Sequence, residues 1–416
     1  MNPLTKAADQ CRQILSDQQI TTGDPGTILG DIETLIEFIG TVGLETKSKQ
    51  GNLPAAALPT LNDRLAHPID VNLNRPLLRD YPNLAGLYVL LRVMDIAQVD
   101  QRRLRINQDT HALWQSFNLT EKYFAMLEAW LFVADAEVLG RADRRRLSQF
   151  SDNMHFLIRL TSRWQTFHEF CHIYAFEGAV STWNTHLQTQ FGLIEVQARP
   201  AAGRQGTNRG WLMAAARRTR WGEAVAWAVA EATAQAEGNF GIFIQTPEHA
   251  GFGFLQPIFR PHFPDWRKVF ALAEPGFQAG LHIFTVSMDD FRAGGSVWRQ
   301  LAVPARISLD ALARAILDAF KFTDDQHLYE FRFRDHFGKG RVYYHPCTDE
   351  GPFAHQIAVG DTGLPEKGTM KFLFDYGDSW RFKLQLDRID PPDKKIRRPR
   401  VIGSAGRAPK QYPDWD

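Results

Sequence analysis

Cysteine is scarce in this chain: Cys11, Cys171 and Cys347 are all there is in 416 residues. Three widely spaced thiols suggest neither a disulfide framework nor a Cys-x-x-Cys zinc site. A reducing compartment, the cytoplasm, is therefore expected. Net charge is nearly absent as well, at +1, so no global field draws the chain to nucleic acid or membrane. No run of ~18 apolar residues occurs, which argues against a membrane span. The opening "MNPLTKAADQCRQIL" lacks the basic-then-apolar order of a secretory signal, so secretion is not expected. Also missing are G-x-x-x-x-G-K-[ST], G-x-G-x-x-G and G-x-S-x-G. Nucleotide hydrolysis and serine-hydrolase chemistry thus lack support.

What is present is material for sizeable cores: 44% hydrophobic and 12% aromatic residues. The length predicts two or three domains. Texture places them at 1–118, 119–275 and 281–416. The first two are mainly helical; a Gly-, Pro- and Phe-rich connector follows residue 235.

In "NLAGLYVLLRVMDIAQVDQRRLRINQDTHALWQSF", Leu87, Leu90, Leu91 and Met94 have helical spacing. "IAQV" and "LRI" read as strands around a basic turn. "NQDTHALW" opens a helix, with Asn107 or Asp109 as N-cap. A similar order returns over 185–234. A helix ends near Gly192, "LIEVQA" alternates as a strand, and a Gly-rich basic loop follows. "WLMAAARR" then returns as a strand and Thr219 caps the next helix. Two copies of helix, strand, basic loop, strand, helix predict winged-helix-like modules. An irregular helical domain with two hairpins is the plainer alternative.

These hairpins carry basic residues. Arg102, Arg103 and Arg105 belong to the first; Arg204, Arg209, Arg217, Arg218 and Arg220 surround the second. Residues 141–220 hold 12 arginines against 5 acidic residues. Such a patch suits the backbone of a duplex nucleic acid. A solvated face or an acidic protein partner explains it equally.

"FHEFCHIY" contains H-E-x-x-H. On a helix His168 and His172 share a face and could bind zinc, with Glu169 as general base. No short-range third ligand extends the motif, and a core helix among aromatics is the simpler reading. No other cofactor is expected.

The last third reads as strand, strand, helix, then antiparallel strands. Ser308 or Asp310 caps the helix "LDALARAILDAF". In "FDYGDSW", Gly377 is expected to take positive φ in a tight turn. Asp375 and Asp378 would cap that turn, with Tyr376 and Trp380 packed beneath it. A ligand site of two carboxylates and two aromatics is the alternative. The basic "KKIRRPR" reads as a solvated loop.

"FDYGDSW", "VWRQLAVPARISLDALARAILDAF" and "HLYEFRF" together resemble the plasmid pRiA4b ORF-3-like family over about 285–416. The resemblance implies an α+β sandwich of the MM3350-like type and an association with mobile elements. It supplies no catalytic residue. The family often has an acidic residue and histidine after the motif tryptophan, where Arg381 and Phe382 stand here. Its Cys-containing, acidic ending is replaced by "VIGSAGRAPKQYPDWD".

The expectation is thus a cytoplasmic, multidomain α+β protein. Its function would be non-enzymatic binding or adaptor work, with duplex nucleic acid or a protein as partner and no membrane. A zinc-dependent hydrolase is the alternative. Nothing in the sequence sets the oligomeric state.

Overall fold

A computed structural model describes residues 3–46, 51–71, 73–100, 102–134, 136–139, 149–166, 181–199, 211–237, 250–272, 276–288, 297–334, 340–349 and 351–411. The chain divides into two compact units, Met1–Leu272 and Ala273–Asp416. One hydrophobic core runs through the first unit from Cys11 to Phe270, so residues on both sides of position 118 share it.

The first unit opens with α1 (Pro3–Asp17) and α2 (Ile28–Ile39), followed by β1 (Leu44–Glu45), α3 (Leu58–Asn62) and α4 (Pro82–Val93). A hairpin follows, β2 (Ala97–Asp100) and β3 (Arg103–Ile106). β3 lies between β1 and β2, antiparallel to both. Arg102, at the hairpin turn, has φ +67°. Helices α5 (Gln108–Gln115) and α6 (Leu119–Glu128) come next. Asn107 is the cap of α5, its side chain accepting the Asp109 N–H. Asn118 and Glu121 form a reciprocal capping box on α6, which satisfies two orphan N–H groups.

The pattern then repeats. α7 (Gln149–Arg159) leads to β4 (Gln165–Thr166). Further along come α8 (Thr182–Gln190), β5 (Ile194–Ala198) and β6 (Met213–Arg218), then α9 (Arg220–Glu237). The returning strand is again central, in the order β4-β6-β5. Gly192 ends α8 at φ +74°; a Cβ there would stand 2.0 Å from the Pro25 carbonyl oxygen, so only glycine fits. Thr219 caps α9, accepting the Gly222 N–H at 2.8 Å while donating to the Gly192 carbonyl at 2.7 Å. Helices α4 and α8 pack on each other. Gly86 permits the contact, for a Cβ there would meet the Leu187 side chain at 2.6 Å.

The connector holds a short helix α10 (Gln256–Phe259). Trp266 stacks on Phe124 at 4.4 Å, tying the connector to α6.

The second unit is a seven-stranded antiparallel sheet with one long helix against it. Its elements are β7 (Leu281–Met288), β8 (Trp298–Pro304), α11 (Leu309–Ala319), β9 (Tyr329–Arg334), β10 (Gly340–Tyr344), β11 (Thr369–Phe374), β12 (Trp380–Asp390) and β13 (Arg400–Ala405). Sheet order is β10-β9-β11-β12-β7-β8-β13. On β12, Trp380, Phe382, Leu384 and Leu386 alternate inward and pack with Leu312, Ile316 and Leu317 of α11. That period of two against three-to-four fixes which faces meet. Ser308 caps α11, accepting the Ala311 N–H. β13 was unforeseen: the sequence reading gave the segment after "KKIRRPR" no strand, yet it pairs with β8.

Candidate functional site

The arginines of the second hairpin are largely occupied within the protein. Glu195 and Arg217 are directly opposite across β5 and β6. The Arg217 guanidinium donates to Glu195 Oε2 through Nε at 2.9 Å and Nη2 at 2.6 Å. It also lies over the Trp164 ring, 4.9 Å from the centroid. Arg218 donates to the Leu157 and Ile158 carbonyls at the end of α7 and stands 3.8 Å from Glu223. These two side chains pin β6 to α7 and β5. Arg220 is exposed at the start of α9. Arg204 and Arg209 lie outside the described residues. In the first hairpin Arg102 and Arg105 are exposed, while Arg103 is half-buried and donates to the Val42 carbonyl at 3.2 Å.

Neither helix that precedes a hairpin faces solvent. On α4 every residue but Arg92 is buried. On α8 Trp183 through Gln188 and Gln190 are buried, although five of these seven are Asn, Thr, His or Gln. The polar groups here extend into α2 and α3. Gln190 Nε2 donates to Asp31 Oδ2 at 3.1 Å, and Asp31 also accepts Ala66 N–H and Thr27 Oγ1. Asn83 Nδ2 donates to Asn62 Oδ1 at 2.9 Å. Sequence reasoning missed Asp31, Asn83, His186 and Gln190 altogether. The one signal available was a helix with no apolar stripe, since "TWNTHLQTQ" shows little amphipathic pattern.

In the C-terminal motif the turn is built differently from expectation. The left-handed residues are Asp375 at φ +59° and Ser379 at φ +54°; Gly377 is not among those with positive φ. Asp375 holds the turn through Oδ1, which accepts the N–H of Gly377 at 2.9 Å and of Asp378 at 3.3 Å. An aspartate tolerates this conformation because its short side chain bonds its own backbone. Trp380 is fully buried against Phe322, as its position implied. Tyr376 points the other way and is 43% exposed. Its hydroxyl stands 3.5 Å from Glu330 Oε2, and Glu330 also pairs with Arg332. Burial and the nearby Glu330 carboxylate push the Tyr376 hydroxyl up to about 12. His327 stands between carboxylates, 3.2 Å from Asp324 and 3.6 Å from Asp375. The motif is therefore a structural turn with one polar face.

His168, Glu169 and His172 of the H-E-x-x-H segment lie outside the described residues. Among the described residues no group of three or more His, Cys, Asp and Glu could hold a metal ion, and no helix is long and apolar enough to cross a membrane.

Fold and motif together define a mixed helix-and-strand protein with a helical N-terminal unit and a C-terminal antiparallel sheet. Residues 281–412 match the family model described as plasmid pRiA4b ORF-3-like protein, so the C-terminal unit is a domain of that family. Among solved structures, the chain is similar to a protein of unknown function, MM3350 from Methanosarcina mazei Go1. The two are 21% identical over 30% of this chain and 70% of that one, with a TM-score of 0.27. No curated protein matches.

Proposed function

We propose that the protein is a non-enzymatic binding protein whose N-terminal unit contains two winged-helix modules, with the hairpins rather than the helices meeting the partner. The order helix, strand, helix, two-stranded hairpin, with the returning strand central in each sheet, supports the module assignment. One observation carries the mode of binding. The helices that would enter a major groove, α4 and α8, are buried against each other. Base edges are then out of their reach, and sequence readout in the groove is lost.

What remains is backbone contact with a duplex through the arginines at the surface of the hairpins. Arg102 and Arg220 are the exposed positions to test, since Arg217 and Arg218 already serve the fold. Binding of this kind is salt-dependent and insensitive to sequence. The double variant Arg102→Ala/Arg220→Ala should lower the slope of log affinity against log salt by about two, one for each lost phosphate contact. Retention on duplex DNA at several salt concentrations measures it. An unchanged slope, or no retention at low salt, would move the partner from nucleic acid to protein. Association with mobile elements belongs to this reading through the family of the C-terminal domain.

A further inference from the structure

A cavity of about 480 Å³ opens where the two hairpin-bearing halves of the N-terminal unit meet. Its walls come from α2, α4, α8 and β5, from the residues before β4 and β6, and from His67, Pro68 and Ile69 after α3. Trp164 and Trp211 give it indole surface, and Asp31 and Glu195 give it carboxylates. No lysine or arginine is among the described residues that line it. The volume is that of a small-molecule site rather than a packing defect.

Two polar atoms at this cavity have no hydrogen-bond partner among the described residues: Nε2 of His186 and Oε1 of Gln190. Their residues are 6% and 5% exposed. Buried polar groups are nearly always bonded, so an orphan pair on one wall signals a missing partner. Gln190 Oε1 can only accept, so its partner must donate. Asp31 is 2% exposed, takes three neutral donors, and has no cationic partner among the described residues. His186 adds no opposing charge, because burial lowers it to about 3 and keeps the ring neutral. Trp211 covers that ring at 4.1 Å.

We propose that this cavity binds the guanidinium or ammonium head of an organic cation, held by Asp31 and Gln190 and flanked by the indoles. Such heads donate several hydrogen bonds, neutralise a carboxylate and are attracted to indole faces. The protein already uses this chemistry at the rim. Arg217 binds Glu195 and lies over Trp164, so its guanidinium occupies the outer carboxylate, while the inner one has only neutral donors among the described residues. The proposal is independent of the duplex contact: it concerns α8 and α2, whereas that contact concerns Arg102 and Arg220.

The test is calorimetric titration of the full chain with butylguanidinium, butylammonium and the neutral isostere butylurea. A saturable heat with a cation, at least about tenfold tighter than with butylurea, is the expected result. Asp31→Asn should weaken the cation by about tenfold or more, and Trp211→Ala should weaken it too. Asp31 also supports the backbone, so Asn at this position carries a risk of misfolding. Arg217→Gln covers that case with the opposite sign: releasing Glu195 should tighten the cation. Equal binding of butylurea, no heat from either cation, or an Arg217→Gln variant with unchanged or weaker affinity would overturn the proposal. N-acetyl-arginine methylamide separates the two sources of the head group. Binding as tight as butylguanidinium supports an arginine borne on a partner chain; binding confined to the free cations supports a small metabolite.

Discussion

Helices α4 and α8 occupy equivalent places before their hairpins and are both largely buried, yet their chemistry is opposite. α4 hides Leu84, Leu87, Tyr88, Leu90 and Leu91; α8 hides Asn184, Thr185, His186, Gln188 and Gln190. The first is an ordinary core helix, each leucine gaining roughly 2 kcal/mol from burial. The second has less apolar surface to bury and leaves polar atoms of His186, Gln188 and Gln190 unbonded. Two other buried polar groups in the same unit are satisfied. Glu128 accepts the Gly253 and Leu255 N–H groups at 2.7 and 2.8 Å, and Asn62 bonds Ile69 and Asn83. The contrast separates buried polar groups whose hydrogen bonds are made from buried polar groups whose hydrogen bonds are not. The second kind needs a reason other than folding, and the cavity beside α8 supplies one.

The largest expected effect lies where the two helices touch. Leu187 is fully buried against Gly86, and Leu187→Ala should cost about 2–5 kcal/mol through the space it leaves. Hydrogen exchange should show lost protection across α4 and α8, with the C-terminal sheet unaffected. Equal loss in both units would break the picture of two separate cores.

Glu128 tests the satisfied class. Burial pushes its carboxyl up to about 7, against the lowering effect of the two backbone N–H bonds. The unperturbed group titrates at 4.5. Between these values the folded protein holds a proton that the unfolded chain has released. Stability therefore falls as pH rises from about 4.5 to about 7 and is flat above, a span of roughly 3 kcal/mol. Glu128→Gln should remove that slope in denaturant titrations at about pH 5 and about pH 7.5. A slope that survives would assign it to another group.

The smallest effect sharpens the comparison most. Gln188 is fully buried, and among the described residues its Oε1 has no partner and its Nε2 reaches only Asn153 at 3.4 Å. Gln188→Met should raise stability by about 1 kcal/mol, because the desolvated amide is removed at near-constant volume. A stability loss in thermal unfolding would show that this amide is satisfied in solution, and would place α8 with Glu128 and Asn62.

Local signals in the sequence were readable and tertiary ones were not. Thr219 and Ser308 cap helices where their residue types stand before a periodic run, and Asn107 does the same for α5. Both hairpins of the N-terminal unit follow from alternation and a basic turn, because these are short-range properties. The role of Gly377 was misjudged for a physical reason. Asp375 stabilises its own left-handed backbone with Oδ1, so the glycine two residues on need not supply positive φ. Arg217 and Arg218 looked like a phosphate-binding patch in one dimension. Their ion pairs and carbonyl partners come from Glu195 and α7, positions that only the fold brings near. The cavity was illegible for the same reason, since Asp31 and Gln190 are 159 positions apart.

β13 closes one side of the C-terminal sheet but leaves its own outer edge facing away from β8, with Val401 and Ile402 about 44–45% exposed. An unpaired apolar edge invites another chain to add a strand. Lys394, Lys395, Arg397, Arg398 and Arg400 stand immediately before those two residues. Two copies brought edge to edge would set like charges against each other. The run read as a solvated loop thus places positive charge beside the one edge of the sheet where a second copy of the chain would bring the same charge.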